Sequence, residues 1–209
     1  MKKLNLLFLS ILVMATIHAQ SDKYVDAMKK NLALFDSAKT TADFQALASS
    51  FERIGDAEKN QWLPYYYAGI ALTTAGWMDT KLDKEANATR TKALCDKAEA
   101  IEKTSEIYEV RNMAATQEMM IDPQTRWATY GKEASTDLQI GMKLDPNNPR
   151  LYYLQGMSVF NTPESFGGGK KNAKPIFEKA VELFKAEQPK PLHPSWGKKE
   201  AESMLAQCQ

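Results

Sequence analysis

The chain has 209 residues, 27 Lys and Arg against 26 Asp and Glu, two cysteines and two histidines. A balance this close to neutral argues against a nucleic-acid or other polyanion partner. Two cysteines cannot make a disulfide framework, and with so few histidines they cannot supply a zinc site.

The chain opens with MKKLNLLFLSILVMATIHAQ, in which Lys2 and Lys3 precede an apolar run from Leu4 to Ile17. That is the pattern of a secretory signal peptide, with cleavage expected after Ala19. The run is shorter than the roughly 20 residues of a comfortable membrane span, and no Cys follows the cut to carry a lipid. The expectation is a periplasmic or secreted protein with no stable membrane span after processing. Losing Lys2 and Lys3 leaves residues 20–209 with a formal charge of −1, on a length that suits one domain with a sizeable core.

From residue 22 onward, apolar residues recur at helical spacing: Tyr24, Ala27 and Met28, then Leu32 and Phe35, then Phe44, Leu47, Phe51 and Ile54. No stretch alternates as a strand would, so the expected class is all-α. Helix pairs are expected at about 22–56, 60–102, 104–144 and 148–187. The break QPKPLHP at 188–194 precedes a capping helix at 195–207, with Ser195 as its cap and Trp196 on its apolar side.

The pairs repeat. Tyr65, Tyr108 and Tyr152 are 43 and 44 residues apart. On the second helices, Ala48, Thr91, Ala134 and Ala173 recur, each followed seven residues later by Gly55, Ala98, Gly141 or Ala180. Small residues at a crossing let two helix backbones approach, and the aromatic fills the space beside them. In LDPNNPRLYY, Pro146 and Pro149 separate two helices, while Asp145, Asn147 and Asn148 offer capping oxygens.

On these residues the chain resembles the tetratricopeptide repeat family. Tyr152 and Gly156, then Ala173, Phe177 and Ala180, carry the resemblance best; Ala134, Leu138, Gly141 and Pro146 match the second half of the preceding repeat. The family period is about 34 residues. The period here is 39 to 44, the excess falling near 76–87, 119–131 and 161–165, as helix extensions or as loops. The resemblance implies a divergent, elongated member: a right-handed superhelical stack of about four antiparallel pairs plus a capping helix. It also implies a concave groove lined by Tyr66, Ile70 and Thr73, then Glu109, Met113 and Thr116, then Tyr153, Met157 and Phe160.

Catalytic chemistry finds no constellation. FGGGKKNA, residues 166–173, lacks the Ser or Thr and the leading strand of a phosphate-binding loop, so it reads as a glycine turn between helices. His193 would be the single histidine left after processing, and no nucleophile elbow is present. Carboxylates such as Glu178 and Glu182 sit at helical spacing on Lys-rich faces, as solvated pairs do. No catalytic residue, cofactor or metal is expected, and the protein is not expected to be an enzyme. The leading expectation is a scaffold whose groove holds a peptide or helix of a protein partner. The second is a small-molecule binding module accessory to solute uptake, a role of similar helical-hairpin proteins.

Overall fold

The computed structural model describes residues 22–209, and the expected signal peptide lies outside them. Among the described residues every regular element is a helix. The first pair is α1 (Asp22–Ser37) and α2 (Thr41–Glu58). The second is α3 (Leu63–Met78) and α4 (Lys84–Glu99). In the third, α5 (Ser105–Met119) reaches α7 (Lys132–Leu144) through the one-turn α6 (Pro123–Arg126) and a π-helical turn at Trp127–Gly131. The fourth joins α8 (Pro149–Asn161) to α9 (Lys170–Ala186), and α10 (Lys198–Gln207) ends the chain. The excess repeat length is therefore a short loop in the second pair, a helical elbow in the third and a longer turn in the fourth.

Local signals set these boundaries. Thr40 Oγ1 accepts from the Asp43 N–H at 3.1 Å, and the Asp43 carboxylate accepts from the Thr40 N–H at 2.9 Å. This reciprocal cap starts α2. Asn148 Oδ1 accepts from the Arg150 N–H at 3.0 Å, with Pro149 in the first helical turn of α8. In the glycine turn, the N–H groups of Gly167, Gly168 and Gly169 donate to the carbonyls of Glu164, Pro163 and Val159. All three glycine donors are thus engaged within the turn.

Helix α3 is buried on every side from Leu63 to Thr73, as expected of a run that is apolar all round. It packs against α2, α4 and α5. Tyr65 lies over Gly55 of α2, where a Cβ would come within 2.7 Å of its ring. Its hydroxyl donates to Asp56 at 2.8 Å, and Lys97 sits 5.3 Å from its ring centroid. One repeat on, the Tyr108 hydroxyl donates to Glu99 at 2.7 Å, across the same nine-residue separation.

The third expected tyrosine is not the equivalent. A Cβ on Gly141 would meet Leu151 at 2.8 Å, and Leu151 is fully buried. Tyr152 is half-buried instead, with its hydroxyl donating to the Pro146 carbonyl at 3.0 Å. Leu151 lies 43 residues after Tyr108 and Tyr152 lies 44. One residue is about 100° of rotation on a helix, so a single step out of register turns the side chain away from the seam.

The end of the chain also departs from expectation. Gly197, with φ of 102°, precedes α10, and no side chain caps it. Ser195 is therefore not the cap, and Trp196 lies before the helix.

Replacing Gly55 with Val should displace the Tyr65 ring and destabilise the fold by about 1–3 kcal/mol, with Ala intermediate. Urea unfolding midpoints measure the series; an unchanged midpoint for Gly55→Val would refute this packing.

Candidate functional site

The expected groove residues come from α3, α5 and α8, and the structure treats them in two groups. Tyr66, Ile70, Thr73 and Glu109 are buried, while Met113, Thr116, Tyr153, Met157 and Phe160 are half-buried. Helices α3 and α5 lie side by side. The Tyr66 hydroxyl donates to Glu109 at 3.1 Å, and Thr73 Oγ1 meets the Met113 sulfur at 3.7 Å. Ile70 belongs to the main core.

The chain's own C-terminal segment, residues 188–197, is fastened beside Tyr66. The Trp196 indole N–H donates to the Tyr66 hydroxyl at 2.8 Å. The Tyr67 hydroxyl donates to the Leu192 carbonyl at 2.8 Å, and Arg150 donates to the Pro194 carbonyl at 2.8 Å. His193 meets Trp62 edge-on, with ring centroids 5.7 Å apart. Trp196, Arg150 and Asn148 thus belong to this face, and sequence reasoning missed all three. The bonds from Tyr67 and Trp196 span 125 and 130 residues, and no repeat period points across that distance.

Beneath the segment lies a buried polar network. Asn148 donates to Glu109 at 2.6 Å and to Ser105 at 3.0 Å. Arg150 forms a two-pronged ion pair with Glu187 at 2.6 and 3.1 Å, its guanidinium 5.6 Å from the ring centroids of Trp196 and Phe184. Burial pushes the Glu109 carboxyl up to about 8, against the pull of Arg150 and of hydrogen bonds from Asn148 and Tyr66. Desolvation outweighs the nearby cation because the carboxylate has no water around it.

The other five expected residues are half-buried. Helices α5 and α8 come together at the start of α8, through Asn148, and touch little elsewhere, unlike α3 and α5. Met113 and Thr116 come from α5, and Tyr153, Met157 and Phe160 from α8. Phe177 packs behind the α8 residues, 6.4 Å from both Tyr153 and Phe160 between ring centroids. Trp196 stands 6.4 Å from Tyr153. Together the five side chains offer apolar and aromatic surface, two thioethers and one phenol. His193 is held at Trp62, and burial lowers its pKa. Cys95 and Cys208 are free and buried, and burial pushes the Cys95 thiol up to about 12. Among the described residues no group of His, Cys, Asp and Glu could hold a metal ion, and no helix is long and apolar enough to cross a membrane.

The Glu109 shift makes stability pH-dependent. A carboxyl raised in the folded state binds its proton more tightly there than in the unfolded chain. Its contribution is full below the ordinary carboxylate range, near 4.5, and is lost as pH rises through about 8. Thermal unfolding followed from pH 5 to 9 should show a falling melting temperature, and Glu109→Gln should flatten that fall. An equal slope in both proteins would contradict the assignment.

No family model matches the chain, and no curated protein sequence does. Among solved structures, the HusA haemophore from Porphyromonas gingivalis superposes with a TM-score of 0.79 at 33% identity, over 91% of this chain and 95% of that one. This likeness to a haemophore overturns the expectation of a scaffold holding a protein segment. With identity of 33% sustained over nearly the whole of both chains, the protein belongs to the family of the HusA haemophore.

Proposed function

We propose that this protein is a non-catalytic carrier of haem or a closely similar porphyrin. The likeness to a haemophore over nearly its full length is the observation that supports this reading most. It favours the second expectation from sequence, a small-molecule binding module serving solute uptake.

The ligand lies in the cleft between α5 and α8, against Met113, Thr116, Tyr153, Met157 and Phe160. A porphyrin is a flat apolar disc, and most of its binding energy comes from covering its two faces. Aromatic rings and adaptable thioethers provide that cover. Thioether and phenol are also known iron ligands, so Met113, Met157 and Tyr153 could reach the metal, but the apolar contacts dominate. The basic and apolar first nineteen residues fit export, which a carrier that captures haem outside the cytoplasm requires. The recurrence of the seam at 43-residue intervals supports a right-handed superhelix of the tetratricopeptide kind.

Titration of the purified protein with haem, followed by the shift of its main absorption band, tests this proposal. Met157→Glu and Phe160→Glu should each weaken binding about tenfold or more, since each buries a charge against the macrocycle. Far-ultraviolet circular dichroism should not change, because both side chains are only half-buried. Iron-free protoporphyrin should bind within about tenfold of haem. Absence of haem binding at micromolar concentration would sink the proposal.

A further inference from the structure

A separate groove of about 470 Å³ runs between α1 and α2, away from the α5–α8 cleft. This volume lies in the range of about 300–1,000 Å³ that small-molecule sites occupy. Ala27, Leu34 and Ile54 supply its apolar surface over the buried Tyr24, and Leu34 is 49% exposed although it is aliphatic.

Three cations, Lys23, Lys30 and Arg53, line the same groove, against Glu58 as the single carboxylate. None of the three forms an ion pair among the described residues. Arg90, Lys92, Lys97, Arg111, Arg126 and Arg150 meet carboxylates, whereas most other lysines of the described residues, like these three, do not. Lys23 and Lys30 lie two turns apart on one face of α1, about 10 Å along the axis, and Arg53 comes from α2. The groove thus joins apolar walls to an excess of uncompensated positive charge.

We propose that this groove is a second small-molecule site, selective for an apolar body that carries a carboxylate. The body covers Ala27, Leu34 and Ile54, and the carboxylate meets Lys30 and Arg53. Both cations keep their stems along apolar surface while their charged ends reach the rim. The selection is electrostatic: an uncharged analogue gains the same apolar contact but leaves the cations unmatched. This site does not depend on the haem reading. Haem nonetheless carries the same chemistry in its two propionates, so a fatty acid and a porphyrin are two sources of one ligand type.

Calorimetric titration with dodecanoate and with dodecanol, below micelle-forming concentrations and at low salt, tests the assignment. Dodecanoate should bind with one-to-one stoichiometry, and dodecanol about tenfold more weakly or worse. The double variant K30E/R53E changes exposed side chains, so the fold is retained, and it should lose dodecanoate binding by about tenfold or more. Phe160→Glu should leave dodecanoate binding unchanged. A haem titration forms the second arm: a second equivalent of haem that disappears in K30E/R53E supports the site with porphyrin as its source. Failure of haem to bind at all counts against the carrier function and leaves the dodecanoate result standing. No dodecanoate binding, equal binding of dodecanol, or unchanged binding by K30E/R53E overturns the proposal.

Discussion

The stack rests on a side chain from the first helix of each pair seated on a residue with little or no side chain on the helix before it. Tyr65 on Gly55 and Leu151 on Gly141 are the clearest cases, since even one added carbon would come within 2.8 Å of the facing group. Interiors of this density transmit a misfit rather than absorb it. The seat sets the distance between successive helices and thereby the direction of the face they present. The carboxylates beside the seat follow from it, because Tyr65 and Tyr108 each deliver a hydroxyl to an acid nine residues earlier.

On that framework the C-terminal segment decides how much of the concave face is available. It is fastened by hydrogen bonds from Tyr67, Arg150 and Trp196, and Tyr66, to which Trp196 is bonded, in turn holds the buried Glu109 carboxyl. Burying Glu109 is unfavourable, and hydrogen bonds from Tyr66 and Asn148 offset part of that cost. The same network joins α3, α5 and α8 to the far end of the chain.

Two surfaces with different chemistry remain. The α5–α8 cleft is apolar and aromatic with soft sulfur donors, suited to the faces of a flat macrocycle. The α1–α2 groove is apolar with an uncompensated cationic rim, suited to a carboxylate. Both are built by helix pairs that do not close fully on one another. In the first the two helices touch little past Asn148; in the second Leu34 on α1 is left exposed.

The all-helical class, the pairing of helices and the 43-residue step were legible in the residues. Helical periodicity and small residues at crossings are local properties that repeat in step. The glycine turn was legible too, since three glycines before a helix mark a reversal whatever lies around them. Tyr152 was misread because tyrosine identity was followed in place of register, and Leu151 holds the position. Nothing local separates Tyr66 from Tyr153, yet one is buried and the other half-buried. Tyr66 is bonded to Trp196, 130 residues away in sequence, and to Glu109. Sequence by itself determined the units and their spacing, because those depend on residues within one or two helical turns or one repeat. Only the tertiary structure decided which part of the face is free to bind, because that depends on where a distant, non-repeating segment comes to rest.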